Sequence, residues 1–214
     1  MSNNCRLYLI TPESLDPIEF ATPLSQALDA GDVGCVQLRL KRKTRGEIIH
    51  AIDILRPIAQ GRDVAFLVND YPELAAETGC DGVHVGQDDA HYTEARQIVG
   101  DDAIVGVTCL DSRDLAMTAA DQGADYVAFG AFYPTATKVS QGHPSPQILS
   151  NWSLFTTVPC VAIGGITPRN CAALVQSGAD FLAVVAAVWD HPAGPGTAVK
   201  AFIEAIERAN ESAP

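Results

Sequence analysis

The sequence predicts a single (β/α)8 barrel (a TIM barrel) occupying residues 1–214, and three observations carry that expectation. Short runs rich in Val, Ile, Leu and Ala start near Arg6, Val33, Val64, Asp81, Ala103, Asp125, Pro159 and Asp180. They recur about every 25 residues, each followed by a helix-like stretch, which is the rhythm of alternating strand and helix. Most runs are apolar without alternation, as parallel strands buried on both faces should be. Eight such units could also spread as a doubly wound sheet. Even spacing and the lack of a nucleotide-binding glycine fingerprint favour closure, and no linker divides the chain.

The joints between units carry their own signals. Gly31-Asp32, Gly79-Cys80-Asp81, Gly123-Ala124-Asp125 and Gly178-Ala179-Asp180 repeat one signature. A glycine suits the left-handed position that closes a helix before the next strand. Thr44 with Glu47 reads as a capping box, Asp111 as an N-cap, and Thr167-Pro168 as an N-cap followed by proline at the first helical position.

Composition narrows the class of partner. Apolar residues make up 47% and charged residues 19%, which suits an ordinary globule rather than a disordered chain. With 14 Lys+Arg against 26 Asp+Glu, the net charge of -12 argues against nucleic acid and anionic membranes. Met1 to Leu15 lacks a basic segment followed by an apolar one, so no signal peptide is expected. The longest apolar run, Phe181 to Trp189, falls far short of the roughly 20 residues a membrane helix needs. Six scattered cysteines without a Cys-x-x-Cys pair read as small buried residues in a reducing cytoplasm. A cytoplasmic protein is expected, with homo-oligomerisation left open.

In a barrel, chemistry is expected where strands run out into the following loops. The second run continues through Gln37, Arg39 and Lys41, whose alternation places them on one side. Five of the 14 basic residues (Arg39, Lys41, Arg42, Lys43 and Arg45) fall just before a helix start. The helix dipole disfavours cations there, so a bound polyanion is expected in preference to a solvated basic loop. The third run ends in Asn69-Asp70 and the fourth leads into Gly86-Gln87-Asp88-Asp89. Neighbouring strands lie about 4.8 Å apart, so Asp70 and an acidic residue of the next loop can share a cation. Magnesium commonly takes one or two carboxylates, completed by water and substrate phosphate. Helix capping would explain either aspartate alone.

The sixth run leads to Thr135, Thr137 and Lys138, two hydroxyls and an ammonium suited to a phosphate or pyrophosphate, although such strings also occur in ordinary turns. The seventh ends at Gly164-Gly165, where a phosphate can approach the backbone. The five histidines lack ligand spacing; His84 reads as a satisfied core residue and His143 as a loop residue. No Gly-x-Ser-x-Gly elbow is present, and no cysteine has an obvious base.

Gln-Leu-Arg-x-Lys, Val-Asn-Asp, Gly-Val-His-x-Gly-Gln-Asp-Asp, Gly-Val-Thr, Pro-Thr-x-Thr-Lys and Ala-Ile-Gly-Gly-Ile-Thr-Pro occur in that order. Together, over roughly residues 6 to 189, they resemble the thiamine phosphate synthase family of (β/α)8 enzymes. The resemblance implies joining an aminomethylpyrimidine diphosphate to thiazole phosphate with magnesium, giving thiamine phosphate and pyrophosphate. It places the pyrimidine diphosphate on Gln37, Leu38, Arg39, Leu40, Lys41, Asn69, Thr108 and Lys138, and magnesium on Asp70 and Asp89. Thr135, Ala136, Thr137, Gly165, Val185 and Ala186 match the thiazole-phosphate contacts. Arg39, Lys41 and Lys138 would stabilise the departing diphosphate while Thr108 holds the pyrimidine.

Three positions depart from the family pattern. Leu110 stands where a histidine is frequent, Val185-Ala186 where a serine is usual, and Tyr71 where arginine is common. Two other readings of these residues are a thiazole tautomerase and a non-catalytic sensor of thiamine phosphates.

Overall fold

The computed structural model describes residues 5–135 and 142–212. Its strands are β1 (Arg6–Ile10), β2 (Val33–Leu38), β3 (Ala65–Asn69), β4 (Gly82–Val85), β5 (Ile104–Leu110), β6 (Tyr126–Gly130), β7 (Cys160–Ile163) and β8 (Phe181–Val184). All pair in parallel and in sequence order, and β8 returns to β1 through Arg6↔Phe181 and Leu7↔Leu182, closing the barrel. Each strand begins within one residue of its expected start.

Between the strands run α1 (Pro17–Leu28), α2 (Arg45–Gln60), α3 (Pro72–Thr78), α4 (Tyr92–Val99), α5 (Arg113–Gln122), α6 (Gln147–Phe155) and α7 (Ala172–Gln176). After β8 come α8 (Ala186–Trp189) and α9 (Pro195–Glu211), one helix more than the simple alternation predicts. The long apolar run at Phe181 is therefore a strand and a short helix in succession. The Trp189 indole N–H donates to the Ile10 carbonyl at 2.7 Å, pinning α8 across the barrel mouth. Among the described residues no helix is long and apolar enough to cross a membrane.

Strand residues divide between two cores. Leu7, Leu9, Val36, Leu38, Phe66, Val68, Val127 and Phe129 face outward into the layer beneath the helices. Tyr8, Ile10, Cys35, Leu67, Tyr126, Ala128, Val161 and Ala183 fill the barrel itself. Burial on both faces explains why the runs read as apolar without alternation, and each large side chain so buried contributes about 1.5–3 kcal/mol. Gly106 makes one inward position possible: a Cβ there would stand 1.9 Å from the Tyr126 ring. The glycine of β5 thus creates the space that the tyrosine of β6 occupies.

The Gly-x-Asp signature has a further role at the amino ends of the strands. Asp81, Asp125 and Asp180 each accept a hydrogen bond from the first residues of the preceding strand, at Phe66 N (2.7 Å), Val105 N (2.7 Å) and Cys160 N (2.8 Å). Gly79, Gly123 and Gly178 adopt the expected positive φ. Gly31 does not, and its contact is steric, since a Cβ would meet Ile203 at 2.9 Å. Asp180→Ala should cost about 1–3 kcal/mol by leaving the buried Cys160 N–H without its acceptor. A fall in the urea midpoint with turnover unchanged is the expected result; an unchanged midpoint would remove this role.

Two expected helix caps are corrected. Ser112, not Asp111, caps α5 by accepting from Leu115 N at 3.2 Å. Leu110 takes a positive φ of 56°, which delays the helix entry by one residue, and Asp111 instead accepts from His143 N. Thr167-Pro168 opens a turn rather than a helix, because Asn170 competes for the local backbone. Its Oδ1 accepts from Thr167 N at 2.7 Å and its Nδ2 donates to Gly165 O at 3.0 Å, so α7 starts only at Ala172. The Thr44–Glu47 capping box of α2 is present.

Candidate active site

The carboxyl ends of the strands surround a cavity of about 430 Å³. Its floor is a line of polar side chains set among apolar ones. Gln37 Nε2 donates to the Tyr8 hydroxyl at 2.7 Å, and Tyr8 meets the Tyr126 hydroxyl at 2.8 Å. Tyr126 in turn meets His84 Nδ1 at 2.8 Å, and His84 Nε2 meets Thr108 Oγ1 at 2.7 Å. Burial holds both tyrosine hydroxyls well above their ordinary acidity range, so they stay protonated. The sequence reading of His84 as a satisfied buried histidine agrees with these bonds, and His84 also lines the cavity. Tyr8 and Tyr126 were not legible as site residues; their signal was a hydroxyl-bearing aromatic at an inward strand position.

One wall carries charge. Arg39 and Lys41 extend from β2, Asn69 and Asp70 end β3, and Asp89 follows β4; all five line the cavity. Lys41 pairs with Asp70. The Asp89 carboxylate accepts from Gly86 N at 2.9 Å, while burial and the adjacent Asp70 carboxyl push its pKa up. Asp70 takes a positive φ of 69°, an uncommon conformation for a non-glycine residue. Arg39 is held by its backbone N–H on Thr11 Oγ1 at 3.0 Å. Its Nη1 is buried, lies 3.7 Å from Glu13 Oε2, and makes no hydrogen bond among the described residues. A buried guanidinium N–H without an acceptor is costly, and a bound anion would satisfy it.

The opposite wall is backbone-rich. Phe132 N donates to Ile163 O and Tyr133 N to Gly164 O, each at 3.1 Å, so the loop after β6 continues the pairing with β7. The Tyr133 hydroxyl donates to Asn170 O at 2.7 Å. Gly165 has φ 61°, and a Cβ there would stand 2.4 Å from Pro134 O, so only glycine lets the two loops close together. Thr135, Gly165, Val185 and Ala186 all line this side.

Of the residues singled out by sequence, Gln37, Arg39, Lys41, Asn69, Asp70, Asp89, Thr108, Thr135, Gly165, Val185 and Ala186 meet at one cavity. Leu38 and Leu40 do not: their side chains are buried in the outer core. Ala136, Thr137 and Lys138 lie outside the described residues. The basic cluster also divides. Lys43 pairs with Glu47 at 3.0 Å and Arg45 with Glu77, both away from the cavity. Glu47, held down to about pKa 2 chiefly by the Thr44 backbone N–H, offsets the Lys43 charge at the helix start, so no polyanion is needed there. Leu110 lines the cavity, whereas Tyr71 and His143 do not.

Among the described residues no three His, Cys, Asp or Glu side chains gather as a metal cluster. Two adjacent carboxylates, with burial and the neighbouring Asp70 raising the cost of ionising Asp89, fit a hard cation that draws its remaining ligands from water and a phosphate substrate. Among the described residues no cysteine lines the cavity. Burial pushes the Cys109 and Cys160 thiols up to about 12, and both face the outer core.

Fold and site together define a (β/α)8 barrel whose carboxyl-end cavity sets cations and paired carboxylates against a glycine-lined loop. The family model of thiamine monophosphate synthase matches residues 7–188. The chain is 62% identical over 199 residues to the thiamine-phosphate synthase of Rhodospirillum centenum, covering 93% of this chain and 96% of that protein. It is 47% identical over 202 residues to the thiamine-phosphate synthase of Hyphomonas neptunium, covering 92% and 91% of the two chains. The solved thiamine phosphate pyrophosphorylase of Pyrococcus furiosus superposes with a TM-score of 0.83 at 28% identity, over 97% of this chain and 98% of that one. The chain belongs to the thiamine monophosphate synthase family.

Proposed function

We propose that this chain transfers an aminopyrimidinylmethyl group from its diphosphate to the ring nitrogen of thiazole phosphate, giving thiamine phosphate and pyrophosphate. Relatives named thiamine-phosphate synthase over almost the whole chain support that reading, and nothing favours the tautomerase or sensor alternatives. The observation that carries it is the buried Arg39 Nη1 without a hydrogen bond among the described residues, in the same cavity as the Asp70–Asp89 pair.

The chemistry suits such a site. The C–O bond to the diphosphate breaks, and the 4-amino group stabilises the resulting carbocation. The thiazole nitrogen then forms the new C–N bond, with no proton to lose. Charge neutralisation and positioning suffice for both events. A magnesium ion on Asp70 and Asp89 would supply charge neutralisation to the departing pyrophosphate. Arg39, Lys41 and Lys138 add donors to the same group, and Thr108 holds the pyrimidine. Thr135, Ala136, Thr137, Gly165 and the start of α8 would receive the thiazole phosphate, where barrels often bind such groups.

Pyrophosphate release with both substrates together, compared with either alone, tests the assignment. Release must require both. Equal release from the pyrimidine diphosphate alone would leave a hydrolase, and none at all would leave a binding protein.

Ala186 provides a separate check, since it is exposed at the first position of α8 and lines the cavity. Ala186→Ser should lower the KM for thiazole phosphate by roughly tenfold, as one hydrogen bond to a charged group allows. Turnover and the pyrimidine KM should hold, because this phosphate keeps its charge through the transition state. Unchanged thiazole-phosphate binding would place the phosphate away from β8.

A further inference from the structure

The polar line beneath the cavity has a direction. Each hydroxyl carries one hydrogen and a neutral imidazole one N–H, so settling one link settles the next. Gln37 Nε2 donates to the Tyr8 oxygen at 2.7 Å. The Tyr8 hydrogen has two neighbours, the Tyr126 oxygen at 2.8 Å and the Cys35 thiol. Sulfur is the weaker acceptor, so the hydrogen goes to Tyr126. The Tyr126 hydrogen then goes to His84 Nδ1, which leaves the imidazole proton on Nε2, facing Thr108 Oγ1 at 2.7 Å. Thr108 accepts that proton's hydrogen bond, and its own hydrogen is left for whatever enters the cavity.

We infer that Gln37, Tyr8, Tyr126 and His84 form a relay that compels the Thr108 hydroxyl to present a hydrogen-bond donor to the ligand. Tyr126 and His84 act here as positioning residues, through Thr108. A donor at this point favours an unprotonated ring nitrogen of the pyrimidine over an amino group, which could use only the second lone pair of the Thr108 oxygen. The stacked rings of His84 and Tyr126, 5.6 Å apart and 19° from parallel, leave the imidazole little room to turn. The identity of the ligand rests on the synthase reading; the direction of the relay does not.

Two measurements separate these. In protein labelled with 15N-histidine, with His84 assigned by the signals lost in His84→Gln, the ligand-free ring should carry its proton on Nε2 and none on Nδ1. Tyr126→Phe removes the donor to Nδ1, so the ring should become a mixture of tautomers. The same variant should raise the pyrimidine-diphosphate KM by about tenfold, the effect of one hydrogen bond, and leave the thiazole-phosphate KM unchanged. Added to Thr108→Val, it should cost little more, because both changes remove the same contact. Should Tyr126→Phe fail to fold, Tyr8→Phe replaces it: Tyr126 loses its fixed donor and can turn, so a tautomer mixture is again expected.

A proton on Nδ1 in the unmodified protein, or on both nitrogens, overturns the relay. So do additive losses from Tyr126→Phe and Thr108→Val, or a lowered unfolding midpoint with tautomer and KM unmoved. Lack of pyrophosphate release by the unmodified protein would instead defeat the synthase reading, and the tautomer measurement would still decide the relay.

Discussion

Arg39→Gln should lower kcat by about 100-fold or more, the loss typical of an electrostatic stabiliser that acts where charge develops. The Arg39 guanidinium sits in the wall of the cavity with a buried Nη1 that no described residue satisfies by hydrogen bond. Glu13, at 3.7 Å, balances part of the charge without forming that bond. Such an arrangement lowers stability in the absence of ligand, because a buried cation and a buried donor are both left undercompensated. The ligand-free variant should therefore unfold at the same temperature as the parent or above it, while turnover falls. Arg39→Lys should recover only part of the loss, since an ammonium cannot offer the planar fork that grips two phosphate oxygens. Steady-state kinetics with calorimetry on the same samples decides the matter. Unchanged kcat, or a stability loss that matches the activity loss, would reduce Arg39 to a structural residue.

Asp70→Asn and Asp89→Asn should each lower activity by about 100-fold at limiting magnesium, with partial recovery as magnesium rises. The two carboxylates lie together at the end of β3 and after β4, and burial with the neighbouring Asp70 makes ionisation of Asp89 unfavourable. A divalent cation between them would relieve that cost, and it would also free Lys41 from Asp70 to meet the diphosphate. If the two carboxylates share one ion, removing either would damage that same ion, so the double variant should lose far less than the product of the single losses. A chelator should abolish turnover in the parent and added magnesium restore it. Full activity in chelator would exclude the metal role, and strictly multiplicative losses would assign the two aspartates separate tasks.

Several of these residues could be read from order alone. Gln37, Arg39 and Lys41 alternate along a strand, and a strand turns alternate side chains to one face. Asp70 and Asp89 follow successive strands of one parallel sheet, and the structure brings them together as the spacing implied. The strand starts were equally legible, because burial on both faces writes continuous apolar runs. Other features were hidden. Lys43 and Arg45 look like part of the anion site in sequence, yet Glu47 and Glu77 take them up, one from the first turn of α2 and one from α3. Leu38 and Leu40 share a motif with Arg39 but face the outer core, since strand alternation separates neighbours in sequence.

By itself the sequence determined the eight-unit barrel, the family, and eleven of the residues that line the cavity, from Gln37 to Ala186. Those properties follow from period and local order, which a chain displays without folding. Only the tertiary structure decided that Tyr8, Tyr126 and His84, 118 residues apart at the extremes, form one hydrogen-bonded line. It alone decided that the buried Arg39 Nη1 makes no hydrogen bond among the described residues and that Asn170, rather than Thr167, sets the loop after β7. The physical reason is common to all three. A hydrogen bond or ion pair is fixed by which partners reach it first in space, and barrel closure brings together strands that sequence distance keeps apart.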